Sequence, residues 1–123
     1  MIEVNEYVRT KNGEIGIFDR YSSRKENSLY KSPFNCFIKI KNRKTPLQCC
    51  EDYIVKHSKQ LIDLIECGDY VNGHLVEEVR ISCFDSSIFV HEYAIELHEN
   101  DIKTILTKEQ FETNCYKVGG EDE

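Results

Sequence analysis

Cysteine and histidine are the residues of this chain best suited to metal binding or nucleophilic chemistry, with six and four copies respectively. No two cysteines show the C-x-x-C spacing of zinc and redox sites. His91-Glu92 begins like the helix of a zinc protease, but that motif needs a second histidine four residues later, where Ile95 stands. His91 and His98 would point to opposite faces of an extended segment, because their spacing is odd. The sequence therefore predicts no metal site.

Other common catalytic signatures are also missing from the sequence. It contains neither of the glycine-rich phosphate loops, G-x-x-x-x-G-K-[ST] and G-x-G-x-x-G, nor the G-x-S-x-G turn of serine hydrolases. The adjacent Glu77 and Glu78 would face opposite sides of a strand, so they are poorly placed to share acid–base work. A cysteine–histidine pair that forms only in the folded chain stays open. We expect a protein that is not an enzyme and that needs no cofactor.

Cysteine usage indicates buried, reduced thiols. Cys67, Cys83 and Cys115 lie among apolar neighbours, where cysteine behaves as a small hydrophobic residue. The first residues, 1–6, lack the basic and apolar regions of a signal peptide. No apolar run approaches the roughly 20 residues that cross a bilayer. We therefore expect a cytoplasmic protein, a compartment in which disulfides are rare.

The net charge of −6 is unevenly distributed along the chain. Residues 1–60 contain 12 Lys/Arg against 7 Asp/Glu, a net charge of +5. Residues 61–123 contain 4 Lys/Arg against 15 Asp/Glu, a net charge of −11. Such a split favours either two halves that attract each other or an acidic face meant for a basic partner.

Short strands and tight turns dominate the local pattern. Asn12-Gly13 separates two β-prone runs and predicts a hairpin. Ile38 and Ile40 alternate with lysines, as in a half-buried strand. Residues 76–84 and 87–97 supply further strands. Thr107, followed three residues later by Gln110, predicts the N-cap of a short helix over residues 108–114.

One segment has a helical period instead. Within Glu51 to Cys67, the apolar residues Ile54, Leu61 and Ile65 fall on one helical stripe. Gly68 follows where a helix commonly ends. This spacing predicts a helix that connects the two halves of the chain.

The opening Glu6-Tyr7-Val8 with its nearby Asn-Gly pair returns as Asp69-Tyr70-Val71-Asn72-Gly73. We interpret this as a degenerate internal duplication of a small barrel, similar to Tudor-like or KOW-like barrels. The predicted fold is α+β and mostly β. It has a basic β lobe over residues 1–60 and an acidic β lobe with a short helix over residues 61–123. Whether the lobes have separate cores or share one stays open.

Two segments, 68–73 (GDYVNG) and 101–112 (DIKTILTKEQFE), resemble a group of small proteins encoded in phages and prophages of low-GC Gram-positive bacteria. The segments 7–13, 56–59 and 62–65 are similar to the same group. The resemblance implies no catalytic residue and no cofactor. It implies a gene product that works in the cytoplasm of an infected or lysogenic bacterium.

Our first functional hypothesis is a non-catalytic inhibitor of a host factor. A component of antiviral defence such as a CRISPR effector is the leading target, since an acidic surface can occupy a basic channel kept for nucleic acid. The predicted partner-binding residues are the acidic side chains Glu77, Glu78, Asp85, Glu92, Glu96, Glu99 and Asp101.

The alternative hypothesis is a small-barrel module that binds nucleic acid or sequesters a nucleotide signal. Basic side chains interleaved with aromatic ones can follow phosphates and stack on bases. The negative net charge opposes this hypothesis. The residues that would serve it are Lys39, Lys41, Arg43, Lys44, Phe34 and Phe37.

Overall fold

A computed structural model of the chain describes residues 2–22, 35–82, 85–91, 94–115 and 118. These residues form two five-stranded antiparallel sheets and one α-helix, which confirms the predicted α+β, mostly β class. The first sheet contains β1 (Tyr7–Thr10), β2 (Ile15–Tyr21), β3 (Cys36–Lys39), β4 (Leu47–Cys49) and β5 (Ile54–Ser58). The second contains β6 (Tyr70–Val71), β7 (His74–Arg80), β8 (Ser87–Val90), β9 (Ile95–Leu97) and β10 (Ile105–Leu106). The helix α1 spans Lys108–Asn114.

The first sheet has the strand order β4-β3-β2-β1-β5. Asn12-Gly13 lies in the connection between β1 and β2, as the sequence predicts. Strand alternation sends Val8, Phe18 and Ile38 into a core, where they are at most 1% exposed. The opposite, outer face of these strands therefore carries the intervening side chains.

The second sheet has the order β10-β6-β7-β8-β9. Asn72 and Gly73 both have positive φ, 54° and 84°, and join β6 to β7 as a two-residue hairpin turn. A separate apolar cluster lies beneath this sheet. Its buried members are Ile62, Ile65, Val71, Val76, Ile88 and Val90.

The two sheets share one topology. When the strands are numbered within each half, both orders read 4-3-2-1-5. A 3-10 helix precedes the last strand in each half, Glu51–Tyr53 before β5 and Glu99–Asp101 before β10. The strand pairing also shifts register at matching places, after Phe18 in β2 and after Val76 in β7.

The correspondence extends to individual hydrogen bonds. Asn5 N–H donates to the Phe18 carbonyl at 2.9 Å, and Phe18 N–H donates to the Glu6 carbonyl at 2.8 Å. The same two bonds recur in the second half at 3.1 and 2.8 Å between Gly68, Val76 and Asp69. Asn5 and Gly68 also share positive φ, 74° and 96°. The two halves are therefore structural repeats, related by the motif that the sequence shows.

The predicted connecting helix is wrong. Residues Ile54–Ser58 form β5, with half-buried and exposed side chains alternating along it, and only Leu61–Leu64 makes a 3-10 turn. Strand β1 supplies the reason, because its free edge pairs with β5 from Tyr7 opposite Ser58 onward. This pairing satisfies backbone groups that a helix would leave open on β1, so it overrides the helical spacing.

The short C-terminal helix is confirmed. Thr107 caps it by accepting a hydrogen bond from Gln110 N–H at 3.3 Å.

The prediction of buried thiols is wrong for Cys67, which is exposed, and Cys115 is only half-buried. Cys83 lies outside the described residues. Among the described cysteines, the buried ones are instead Cys36 and Cys49, which face each other across β3 and β4.

Candidate ligand groove between the two sheets

A buried ion pair joins the two halves of the chain. The guanidinium of Arg9, on the outer face of β1, contacts both carboxylate oxygens of Asp69 at 2.5 and 3.0 Å. It also donates to Glu109 Oε1 at 2.6 Å and to the Leu64 carbonyl at 3.0 Å. Burial by itself would lower the pKa of Arg9, but the hydrogen bonds and charges of the surrounding carboxylates outweigh it and raise that pKa. Arg9 is therefore fixed as a cation.

Further contacts close the junction around Arg9. Glu66 accepts from Lys108 at 2.8 Å and from Lys56 at 3.2 Å. Burial acts to raise the pKa of Glu66, but these lysines and Arg9 lower it overall. Thr107 Oγ1 donates to the Gly13 carbonyl at 2.7 Å. A Cβ added at Gly13 would lie 2.2 Å from Thr107 Oγ1. The second half is thus seated on the outer face of the first sheet.

This seating leaves an open groove of about 280 Å³ between the halves. Tyr7, Ile17 and Lys39 are neighbours across β1, β2 and β3 and form one wall. The segment 102–105 of the second half forms the other wall. The apolar side chains of the groove are those of Tyr7, Ile15, Ile17, Leu61, Ile102 and Ile105.

Three lysines line this groove, Lys39 and Lys41 from the first half and Lys103 from the second. Lys39 is 66% exposed and lies 3.6 Å from Asp19. Among the described residues, Lys41 and Lys103 have no carboxylate within ion-pair distance. The groove therefore combines an apolar lining with two cations, Lys41 and Lys103, whose charge no described carboxylate balances.

A second hollow of about 250 Å³ shares one lining residue, Lys39, with the groove. Arg43 and Lys44 line it, beside Thr45 and Pro46. Phe37 lies on the same strand as Lys39, two residues before it, and Arg20 stacks over its ring at 4.2 Å. Of the predicted nucleic-acid residues, Lys39, Lys41, Arg43 and Lys44 thus line the two hollows, and Phe37 lies on the strand of Lys39. Phe34 lies outside the described residues.

The sequence prediction missed Lys103 and the apolar lining of the groove. Lys103 is distant in sequence from the basic cluster 39–44, and its neighbours Ile102 and Ile105 suggest only a buried stretch. No local signal connects it to the first half, because the connection depends on how the repeats dock.

Several predicted acidic residues meet positive partners from their own half. Glu78 contacts Arg80 Nε at 2.5 Å. His98 lies between Asp85, at 3.1 Å, and Glu96, at 3.7 Å. The hydrogen bond with Asp85 raises the pKa of His98. The negative charge of this cluster is accordingly reduced, more so as the pH falls.

Glu78 and Glu96 nonetheless share a face, because both lie opposite Phe89 across β7, β8 and β9. Glu99 instead accepts hydrogen bonds from the backbone N–H groups of Leu61 and Ile62, at 3.1 and 2.8 Å.

Of the remaining predicted acidic residues, Asp101 accepts from the N–H of His98 at 3.0 Å. Glu77 is half-buried, and Glu92 lies outside the described residues. The structure therefore does not gather all the predicted acidic residues into one outward-facing patch.

The described residues contain no group of three or more side chains arranged to hold a metal ion. Burial raises the pKa of Cys36 and of Cys49 to about 11, so both thiols are protonated at neutral pH and weakly nucleophilic. None of the helices in the described ranges has the length and hydrophobicity that a membrane crossing requires.

Comparisons with protein-family models, with curated proteins and with solved structures find no match to this chain.

Proposed function

We propose that the chain is a non-catalytic module that binds a single-stranded nucleic acid along the lysine-lined groove. The observation that carries this proposal is the convergence of Lys39, Lys41 and Lys103, from both halves, around an apolar lining. Arg43 and Lys44 extend the same row of cations into the adjoining hollow. A row of cations over an open channel suits a chain of phosphates better than a single compact anion.

The apolar lining gives the bases a place to contact. The Tyr7 ring offers a stacking surface, and Ile17, 37% exposed, lies beside it on β2. The stacked pair of Arg20 and Phe37 continues this surface along β3. Stacking of this kind tolerates any base, so we expect weak sequence preference. Its affinity must overcome the net charge of −6, which makes the local arrangement of cations decisive.

We also propose that each half is a small barrel of the Tudor or KOW type. The 4-3-2-1-5 strand order and the 3-10 helix before the last strand of each half support this assignment. Five antiparallel strands can close into a small barrel, as in the OB-fold, which binds oligonucleotides on one strand face and its loops.

Fluorescence anisotropy with a labelled oligonucleotide of about 12 bases tests the proposal, since one small barrel covers about 4–16 nucleotides. The paired substitutions Lys41→Gln and Lys103→Gln should weaken binding and lower the slope of log K against log salt by roughly 1.4, about 0.7 for each lost phosphate contact. The matched control is Lys11→Gln with Lys59→Gln, which removes the same charge from exposed lysines outside the groove.

Two results would overturn the groove assignment. One is that the wild-type chain does not shift the anisotropy of either DNA or RNA at about 50 mM salt, where electrostatic binding is strong. The other is that the control pair weakens binding as much as the groove pair, which would make the effect one of net charge alone.

A second candidate function is inhibition of a basic host protein, such as a nucleic-acid-handling effector of antiviral defence. The observation that favours it is the shared face of Glu78 and Glu96 on either side of Phe89. An aromatic side chain between carboxylates is a suitable anchor for a basic partner. We rank this second because Arg80 and His98 offset part of the charge.

Phage plating on cells that express a candidate effector with this chain tests the inhibitor hypothesis. Glu78→Lys with Glu96→Lys should restore defence, whereas the control Glu3→Lys with Asp52→Lys, in the first half, should leave inhibition intact. Unchanged inhibition in the first pair would exclude this face as the contact surface.

A further inference from the structure

The repeat relationship identifies a second surface that is equivalent to the one between the halves. In the first sheet, Tyr7 pairs with Ile17 on one side and with Ser58 on the other, and the second half docks beside this row. The corresponding row in the second sheet is Tyr70, which pairs with Leu75 and with Leu106. The same face of the same fold is therefore present twice, and among the described residues a neighbouring repeat covers it in the first half but not in the second.

The uncovered copy of this face is apolar. Leu75, Leu106 and Phe111 are 45%, 39% and 39% exposed, and the Phe111 ring stacks on Tyr70 at 5.2 Å. A shallow hollow of about 290 Å³ lies among Tyr70, Leu106 and Phe111. Clustered exposed side chains of this kind are typical of an interaction site rather than of free surface.

The two faces carry different residues at the position of the buried cation. Arg9, two residues after Tyr7, corresponds to Asn72, two residues after Tyr70. Asn72 is used within its own half, since its side chain bonds the Asp101 carbonyl and the N–H groups of Lys103 and Thr104. The uncovered face therefore presents apolar contacts without a buried ion pair.

The repeat also indicates what fits this face. The first-half face is lined by the segment 102–105, just before the end of β10. Because Ser58 and Leu106 are equivalent, Val55 of β5 stands where Lys103 does in the second half. Val55 is 49% exposed, and Val4, on the loop that Glu6 ties to His57, is 60% exposed. The first half thus presents one exposed valine, Val55, at the equivalent of the docking segment and a second, Val4, on a loop that is tied to the same strand.

We propose that this face binds a second copy of the chain head to tail, where the head is the exposed surface around Val55 in the first half and the tail is the apolar face around Leu106 in the second half. Val4 and Val55 of one copy would dock on Tyr70, Leu75, Leu106 and Phe111 of the next. Charge favours this arrangement over a two-fold dimer, because it brings the +5 half of one copy against the −11 half of another, whereas a tail-to-tail contact brings two −11 halves together. A heterologous contact of this type repeats from copy to copy.

Sedimentation or light scattering of the wild-type chain over a range of concentrations is the first measurement. We expect the apparent mass to rise at least twofold with concentration and to fall when salt is added. A wild-type chain that stays monomeric at high concentration would overturn the proposal.

Complementary variants then test the geometry. Val55→Lys and Leu106→Lys should each give monomers, since each removes one side of the contact. Mixed together they should form dimers, because Leu106→Lys keeps an intact head and Val55→Lys keeps an intact tail. The control Ile81→Lys, at an apolar residue that is 61% exposed and outside both surfaces, should assemble like the wild type.

Failure of the mixture to associate, or normal assembly of Val55→Lys, would contradict a head-to-tail contact. Both variants lie at exposed positions, so circular dichroism should show the wild-type fold in each. The outcome is separate from nucleic-acid binding, because Leu106 and Val55 do not line the groove.

Discussion

At the scale of single residues, Arg9 is the side chain on which the junction between the repeats depends. It is 1% exposed, and its partner Asp69 is fully buried. Within the described part of the chain, its Nε is the one buried side-chain nitrogen or oxygen without a hydrogen-bond partner. A buried ion pair contributes little net stability when it replaces good apolar packing, but breaking one side leaves a charge without compensation. The importance of Arg9 is therefore best seen by removing it alone.

We expect Arg9→Met to lower the free energy of unfolding by about 3–5 kcal/mol, because it leaves the Asp69 carboxylate buried and unpaired. Adding Asp69→Asn should recover part of the loss, because it removes the buried charge. The amide oxygen can still accept from one of the two N–H groups, of Glu66 and Lys108, that bond the separate carboxylate oxygens of Asp69. Urea denaturation measures all three proteins. Arg80→Met, at a 64% exposed ion pair, is the control and should change stability by less than about 1 kcal/mol. A larger loss in the double variant than in Arg9→Met would contradict this account.

Two carboxylates, Glu66 at this junction and Glu6 within the first half, predict how stability depends on pH. The pKa values of Glu66 and Glu6 are both lowered, Glu66 by lysines and Arg9 acting against its burial and Glu6 chiefly by its hydrogen bond with His57. A lowered carboxyl pKa adds stability that is complete above the unfolded value, about 4.3, and is lost as the pH falls through the lower folded value. Urea midpoints should therefore fall between about pH 5 and pH 3. Glu66→Gln should make the urea midpoint fall less between these pH values. If the midpoint of this variant falls as much as that of the wild type, Glu66 does not contribute to the pH dependence.

At the scale of elements, the glycines of the two Asn-Gly turns share a left-handed φ but have different surroundings. Gly13 and Gly73 have φ values of 83° and 84°. A Cβ at Gly13 would collide with Thr107 and Glu109 at the N-terminus of α1, whereas a Cβ at Gly73 would meet nothing within 4 Å. Alanine substitutions at the two glycines therefore separate two costs in stability. At Gly73 the cost is backbone strain alone, and at Gly13 it also includes the clash at the junction between the halves.

We expect Gly73→Ala to cost about 1–2 kcal/mol, the strain of a left-handed conformation in a residue with a side chain. Gly13→Ala should cost about 1–3 kcal/mol more, because helix α1 must also move away. Thermal or urea unfolding of both variants provides the comparison. Equal losses at the two positions would show that the close approach of Thr107 to Gly13 does not limit stability.

Elements that are specified by local signals were predictable from the sequence. The Asn12-Gly13 hairpin and the helix capped by Thr107 depend on neighbouring residues alone, and they were located correctly. Strand β5 was not, because its conformation comes from pairing with β1, some 50 residues away along the chain. The basic side chains near Lys39 were recognised, but the groove itself needed Lys103, whose position depends on how the repeats dock. Tertiary pairing, rather than local propensity, accounts for both omissions.

At the scale of the whole molecule, the chain is two repeats with separate apolar clusters and a polar junction. One cluster centres on Val8, Phe18 and Ile38, and the other on Val71, Val76 and Ile88. Burial within each cluster stabilises one half. The ion pair of Arg9 and the contact of Thr107 with Gly13 hold the two halves together. The ligand groove lies on this same junction, so its geometry depends on the two halves holding one relative position.

This arrangement predicts cooperative unfolding that depends on the junction. Scanning calorimetry of the wild-type chain should show one transition whose calorimetric and van't Hoff enthalpies agree, because the buried Arg9–Asp69 pair makes each half costly to open alone. Combining Arg9→Met with Gly13→Ala removes that coupling while leaving the side chains of both apolar clusters intact, so the transition should broaden or split in two. Hydrogen exchange should then separate the halves, with strands of one sheet exchanging before those of the other. A single sharp transition that persists in the double variant would mean that the apolar surfaces around the groove, rather than the ion pair, couple the repeats, and that Lys39 and Lys103 keep their spacing without it.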